Sequence, residues 1–169
     1  MKLVLEELEL DDLPVIQKWI DPSVFRIFKD PVDVEQLTRL LSKYKGDEPL
    51  ELGFRAVNAD TGEIVGLLHA VLDHWNSLAH IQQIIVVKNL RGKGIGTEIL
   101  TRFNERCFTE LRLHRVQLFV DNDNTEAIAC YKKAGFKTEG LMRDASKVED
   151  GWVSWYSMSL LADEWLPDD

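Results

Sequence analysis

One segment of the chain, residues 79–120, restricts the fold more than any other. Its first part ends in an apolar run at residues 84–87, which is typical of a strand covered on both faces. A glycine-rich turn follows, and apolar residues then recur at helical spacing at Ile95, Ile99, Phe103, Cys107 and Leu111. Alternation over residues 114–120 predicts another strand. A strand, a crossover helix and a strand imply a parallel pair at the centre of an α/β sheet.

The sequence on both sides of this unit predicts more strands and helices. Strands are predicted at residues 3–8, 50–57, 64–72, 138–143 and 152–160. Helices are predicted after Asp12, from residue 33 to 46 and from residue 124 to 135. The turn at residues 58–62 predicts that the second and third strands form an antiparallel hairpin. We therefore expect a mixed, twisted sheet of about seven strands with helices on both faces.

The length of 169 residues predicts one domain, residues 1–169, in which 162–169 form a frayed acidic tail. The 29 acidic and 20 basic residues give a formal net charge of −9. A field of that sign repels nucleic acid and anionic membranes and favours cationic partners. The N-terminal sequence turns acidic before a signal-peptide core can form, and no run approaches the roughly 18 apolar residues of a membrane span. These features predict a cytoplasmic location.

The cysteines and histidines indicate neither a disulfide framework nor a metal site. Cys107 and Cys130 are too few for such a framework, so we expect both to be reduced and packed, with Cys130 buried and inert. The histidines lack the spacing of metal ligands, which predicts no metal; they are His69, His74, His80 and His114.

The glycine-rich turn, residues 91–97, joins a buried strand to a helix. Unbonded main-chain N–H groups and the helix dipole make such a place an anion site. A P-loop is excluded because it needs Ser or Thr after its lysine, and Lys93 is followed by Gly94. A dinucleotide fingerprint is excluded because the glycines stand at 92, 94 and 96 instead of the spacing Gly-x-Gly-x-x-Gly.

The remaining pattern, Arg91-x-x-Gly94-x-Gly96 after a strand, resembles the acyl-CoA pyrophosphate loop of the GNAT superfamily of N-acetyltransferases. The segment from Asn124 through Ala127 and Tyr131 to Phe136 resembles the second cofactor segment of that superfamily. The order of elements is similar over nearly the whole chain. Residues 83–86, 139–143 and 158–161 resemble the branch that contains ribosomal-protein and polyamine acetyltransferases.

The resemblance implies a V-shaped cofactor cleft between the fourth and fifth strands, with acetyl-CoA as the donor. Pantetheine would pair with the main chain of the fourth strand like an added strand, and the diphosphate would lie on the glycine-rich turn. The cofactor contacts that the resemblance implies are Ile85, Val86, Val87, Arg91, Gly92, Lys93, Gly94, Ile95, Gly96, Thr97, Asn124, Ala127 and Tyr131.

The resemblance also implies transfer of an acetyl group to a primary amine by direct attack. A main-chain N–H near Val86 would polarise the carbonyl group, and Tyr131 would protonate the departing thiolate. Many relatives have a glutamate as the base at the position of Ile81, which cannot take a proton. His80 is the candidate that replaces it, although strand alternation places it on the opposite face. Other candidates are Gln83, as a residue that orients water, and the acids Glu51 and Asp73.

The acceptor stays open among a polyamine, an aminoglycoside-like amine and a protein N-terminus. Residues 20–47 resemble the variable acceptor-side helices of the superfamily, and Asp30, Asp33 and Glu35 lie in this segment. The missing glutamate leaves a second interpretation, a non-catalytic acyl-CoA-binding module. A transferase for longer acyl chains is a third. Trp152 and Trp155 suggest a homodimer contact.

Overall fold

A computed structural model of the chain describes residues 1–16, 18 and 51–165. Within these residues one sheet contains seven strands in the order β1-β2-β3-β4-β5-β7-β6. β4 and β5 are parallel, and the other neighbours are antiparallel. The strands are β1 (Leu3–Glu7), β2 (Glu51–Asn58), β3 (Ile64–Asp73), β4 (Leu78–Val86), β5 (Arg115–Asp121), β6 (Lys137–Val148) and β7 (Gly151–Leu161). The mixed sheet and the parallel central pair are confirmed.

The described helices are α1 (Leu13–Ile16), α2 (Ile95–Glu105) and α3 (Thr125–Lys133). α2 ends sooner than its apolar spacing predicts, because the chain changes to a π-helical turn at Arg106–Glu110. Cys107 lies in that turn and is still buried. The helix predicted for residues 33–46 and the acceptor segment 20–47 lie outside the described residues. None of the described helices is long and apolar enough to cross a membrane.

The main core lies between the sheet and the helices α2 and α3. Phe54 of β2 meets Phe103 of α2 edge to face, with the ring centres 6.0 Å apart. Gly66 of β3 lets α2 approach the sheet closely. A Cβ at this position would lie 2.7 Å from Cδ1 of Ile99 and 2.8 Å from the carbonyl oxygen of Ile85. Because real Cβ atoms keep larger distances, a side chain here would push α2 or β4 away.

The parallel pair holds together over only part of its length. β4 and β5 pair from Leu78 with Arg115 to Ile81 with Leu118, and both strands continue beyond these residues. On its other side β4 remains paired with β3 as far as Val86. In the described part of the chain, the edge of β4 that faces β5 therefore has no strand partner after Ile81.

Two differences from the sequence expectations occur near the C-terminus. β6 runs to Val148, beyond the predicted end at Arg143. The tail predicted to fray is ordered in residues 162–165. The ammonium group of Lys137 donates to Glu164 over 2.7 Å, and the ring of Trp165 packs against Phe108 at 5.7 Å. The prediction of a free acidic tail is therefore wrong for these residues, because an ion pair and an aromatic contact hold them to the domain.

Candidate functional site

The separation of β4 from β5 opens a cleft of about 970 Å³. The end of β4, the glycine-rich turn, the end of β5 and the helix α3 line it. Two sequence motifs that are distant along the chain thus border one cavity. The predicted cofactor residues in its lining are Ile85, Val86, Arg91, Gly92, Gly94, Gly96, Thr97, Asn124, Ala127 and Tyr131.

Three predicted cofactor residues do not line the cleft. The N–H of Val87 donates to the carbonyl oxygen of Val65 over 3.0 Å, so the sheet uses it. The side chain of Ile95 is buried in the core, and only the main chain of this residue can serve a ligand. Lys93 is exposed. Long-range attraction is therefore the contribution that Lys93 can make to anion binding.

The glycine-rich turn has the geometry of an anion site. Gly94 stands at the N-terminus of α2 with φ +83°, a left-handed conformation that costs glycine little. The N–H of Glu98 makes the first helical bond, to Gly94, so the N–H groups of residues 95–97 have no carbonyl within the helix. Glycine also brings no side chain to cap them. A Cβ at Gly94 would meet nothing within 4 Å, which leaves open space above the turn. Free donors at the positive helix end fit a diphosphate.

The free edge of β4 presents main-chain groups to the cleft at Val86. The N–H of Val87 points to β3, and the carbonyl of one residue and the N–H of the next point in opposite directions across a trans peptide. The N–H and the carbonyl of Val86 therefore face away from β3, toward the cleft. Nε of Arg91 donates to the carbonyl oxygen of Val86 over 3.0 Å, which ties the glycine-rich turn to the strand edge. The N–H of Val86 is left as a donor for a ligand.

Helix α3 supplies the cap and the hydroxyl that its sequence predicts. The side-chain oxygen of Asn124 accepts from the N–H of Ala127 over 3.1 Å, which confirms it as the N-cap. Tyr131 is only 9% exposed, and its ring meets Phe136 edge to face. Burial raises the pKa of the Tyr131 hydroxyl above its ordinary value of about 10, so the group keeps its proton at neutral pH.

The candidate bases lie outside the cleft lining. His80 borders a smaller neighbouring pocket, where its Nδ1 lies 3.1 Å from the side-chain nitrogen of Gln117. Burial lowers the pKa of His80, which leaves the imidazole neutral and able to accept a proton. The carboxylate of Glu51 lies 3.2 Å from Nε2 of His69 in a buried pair. Asp73 accepts from Asn76 in the β3–β4 turn, which lowers its pKa, at the opposite end of β4 from Val86.

A β-bulge explains why Ile81 and the residues after it face as they do. Ile81 pairs with Ala70 and Gln83 with His69, so Gln82 is an extra residue on β4. The bulge places Ile81 and Ile84 on the same face as the core. Ile81 is 4% exposed and carries no titratable group at the position where many relatives have a glutamate. Gln83, the candidate for orienting water, does line the cleft.

Sequence reasoning missed several residues of the cleft. Cys130 lines it and is half-buried, with Sγ 3.5 Å from the hydroxyl of Thr97, so the thiol is less buried than expected, and its inertness stays a prediction. Phe119 and Asp121 line the β5 side. Alternation along β5 could have found both, because Leu118 and Val120 face the core, and Phe119 and Asp121, which alternate with them, face the other side of the sheet.

Comparisons with known proteins agree with this geometry. Residues 2–137 match the family described as the acetyltransferase (GNAT) domain. The chain is 33% identical over 140 residues to a spermidine N(1)-acetyltransferase of Escherichia coli, covering 80% of this chain and 73% of that protein. It is 28% identical over 171 residues to an uncharacterized N-acetyltransferase of Bacillus licheniformis, covering 97% and 95%. A crystal structure of spermidine N-acetyltransferase from Vibrio cholerae in complex with CoA and spermine has a TM-score of 0.84 and 25% identity, covering 96% of each chain.

Proposed function

Because the chain belongs to the acetyltransferase (GNAT) domain family, we propose that it transfers the acetyl group of acetyl-CoA to a primary amine by direct attack. Family membership identifies it as an acetyltransferase, so the interpretation as a non-catalytic module loses its basis. One observation carries the proposal. The glycine-rich turn, the edge of β4 at Val86 and the hydroxyl-bearing helix α3 all border the cleft between β4 and β5.

The glycine-rich turn holds the diphosphate of the donor in this proposal. The N–H groups of residues 95–97 donate to it, and the charges of Arg91 and Lys93 add attraction. The pantetheine arm follows the free edge of β4 toward Val86. Asn124 and Ala127 border the cleft at the start of α3, on the opposite side of this arm. Both ends of the donor are then fixed before the acceptor arrives.

Acetyl-CoA supplies a thioester carbonyl group that an amine can attack. The N–H of Val86 stabilises the negative charge that develops on the carbonyl oxygen, because a fixed donor in a cleft needs no reorganisation. Tyr131 gives its proton to the departing thiolate, a role that suits a hydroxyl whose pKa burial raises. His80 takes the proton of the attacking amine through water at the border between the cleft and the neighbouring pocket, because its imidazole is neutral and lies outside the cleft lining.

A polyamine is the acceptor that we favour among the three classes. The relatives from Escherichia coli and Vibrio cholerae are described as spermidine acetyltransferases. The formal net charge of −9 also attracts a polycation over long range. An aminoglycoside-like amine and a protein N-terminus are the acceptors against which it must be compared.

The decisive experiment measures release of free thiol from acetyl-CoA with a panel of amines. We expect turnover with wild-type protein and about 100-fold lower kcat in Tyr131→Phe, with the Kd for acetyl-CoA unchanged. Tyr156→Phe, in β7 and outside the cleft lining, is the matched control. Binding of acetyl-CoA without acetylation of any amine would contradict the proposal and restore the non-catalytic interpretation. Propionyl-CoA and succinyl-CoA in the same assay test the preference for the acetyl group.

We propose that the chain forms a homodimer through the β6–β7 hairpin, where apolar side chains are exposed. Trp152 is 61% exposed, and Leu141 and Met142 are 47% and 42% exposed. β6 is the last strand of the sheet in the described residues, and a second copy packed at this edge would cover the side chain of Trp152. Light scattering should give twice the chain mass for the wild type and a single chain mass for Trp152→Ser. A wild-type protein that is monomeric at high concentration would disprove the dimer.

A further inference from the structure

A second pocket adjoins the cleft on the β5 side and has a different character. It measures about 140 Å³, and Phe119, Asp121 and Trp155 line it with His80. The cleft and this pocket share the end of β5, residues 118–121 in the first and 119–121 in the second, and also Ile81 and Gln82. An acceptor whose amine enters the cleft can therefore extend directly into the second pocket.

The walls of this pocket combine aromatic faces with a carboxylate. The rings of Phe119 and Trp155 stack at 6.0 Å with 21° between their planes, and His80 meets Phe119 edge to face at 4.8 Å. Phe119 is nevertheless 39% exposed, so part of its ring surface remains accessible to a ligand. Aromatic faces attract cations within about 6 Å, and more so when a carboxylate stands beside them.

The charges around the pocket favour a cation. Of the described residues that line the pocket, Asp121 is the one with an acidic side chain, and none is a lysine or an arginine. The imidazole of His80 adds no positive charge at neutral pH, since burial keeps it neutral. A volume of about 140 Å³ corresponds to about five water-sized groups, enough for an ammonium group with a few methylene groups.

We propose that this pocket binds a second cationic group of the acceptor, held over Phe119 and Trp155 beside the carboxylate of Asp121, while the amine to be acetylated lies in the cleft. This deepens the proposed function and rests on it for the reaction. The consequence is selectivity for diamines and longer polyamines over monoamines of equal length. The pocket supplies this selectivity from the described residues, independently of residues 20–47.

The test compares butane-1,4-diamine with butylamine, two acceptors that differ only in the second amine. Calorimetric titration of the protein with bound CoA measures binding, and thiol release measures KM and kcat. Asp121→Asn and Trp155→Leu should each weaken binding of the diamine and raise its KM about 10-fold or more, because a cation–π contact or a charge pair is lost. For Trp155→Leu, which lies outside the cleft lining, the KM for butylamine and the Kd for acetyl-CoA should stay within about 2-fold, well below the effect of one lost contact.

Two further variants separate a specific effect from damage to the fold. Trp75→Leu makes the same substitution at a tryptophan that is 94% exposed in the β3–β4 turn, and it should change nothing. Trp155→Phe keeps an aromatic face and should restore most of the affinity for the diamine. Melting temperatures show whether each variant is folded.

The outcomes distinguish the subsite from the reaction. If the diamine binds no better than butylamine, or if Asp121→Asn and Trp155→Leu weaken both acceptors equally, the subsite is wrong while turnover still supports an amine acetyltransferase. If the diamine binds selectively and the variants abolish that selectivity, but no thiol is released, the subsite stands and the proposed reaction fails.

Discussion

Replacing Gly66 with alanine tests whether the fit of α2 on the sheet determines the stability of the site. A new Cβ would lie 2.7 Å from Cδ1 of Ile99 and 2.8 Å from the carbonyl oxygen of Ile85. The first contact involves the end of a side chain that can turn. The second involves main chain that is paired with β3 and borders the cleft, so β4 itself would have to shift.

The magnitude follows from two opposing effects. Overpacking of a well-filled core costs about 1–3 kcal/mol, and the contact with main chain places Gly66→Ala toward the upper end of this range. Replacing glycine in a strand with alanine recovers about 0.5–1 kcal/mol. The net loss for Gly66→Ala is therefore about 2 kcal/mol. In a chain of this length that corresponds to a fall in Tm of about 4–8 °C. Because Ile85 and Val86 share the strand that moves, the Kd for acetyl-CoA should rise as well.

Thermal and urea denaturation measure the loss, with two comparison variants. Gly140→Ala is the matched control, because a Cβ there meets nothing within 4 Å, and its Tm should not fall. Ile99→Val removes Cδ1, so the double variant Gly66→Ala with Ile99→Val should be less destabilised than the sum of the single variants by about 0.5–1 kcal/mol. A Tm for Gly66→Ala equal to that of Gly140→Ala would refute the argument that α2 rests on the bare main chain of β3.

Three more variants test other parts of the structure. Gly94→Ala forces a side chain into a residue with φ +83°; we expect a loss of about 1 kcal/mol in stability and a Kd for acetyl-CoA at least about 10-fold higher by titration calorimetry. Arg91→Ala removes the bond to the Val86 carbonyl and one positive charge, so the KM for acetyl-CoA should rise about 3–10-fold while the KM of the amine stays constant in steady-state assays. Glu139→Gln tests the hydrogen bonds from Arg115, which lower the pKa of Glu139 to about 2 from an ordinary value of about 4.3. A lowered pKa stabilises the fold fully above pH of about 4.3, and this contribution disappears as the pH falls toward 2. At pH 7 the free energy of unfolding of the variant should therefore be lower than that of the wild type by about 1 kcal/mol after screening. Near pH 2 the two proteins should be equally stable.

The sequence predicted the parts of the fold where one regular pattern continues through an element. The apolar run at residues 84–87 and the period from Ile95 onward placed β4, the glycine-rich turn and the start of α2 correctly. The end of β6 was missed because residues 143–148 are mostly polar, and pairing with β7 holds them instead of a buried face. The order in the C-terminal tail was missed because the ion pair of Glu164 with Lys137 joins residues far apart in sequence.

Within the site, the sequence could predict the motifs, but it could not predict on which face of the sheet each strand side chain lies. The glycines, Asn124 and Tyr131 were found because each belongs to a short local pattern. The bulge at Gln82 has no sequence signal, and it decides which residues of β4 face the core. The contact between Phe119 and Trp155 depends on the pairing of β5 with β7, which no local pattern shows.

The short pairing between β4 and β5 has a mechanical consequence. Among the residues that the structure describes, only Leu78–Ile81 and Arg115–Leu118 join β4 to β5 through strand hydrogen bonds, so the two halves of the sheet are held together at one end of their shared border. A molecule seated across the opposite, open end would resist their spreading. We expect such a molecule to stiffen the paired end too, so that the amides of Arg115 and Gln117, which point toward β4, exchange hydrogen more slowly once the donor is bound.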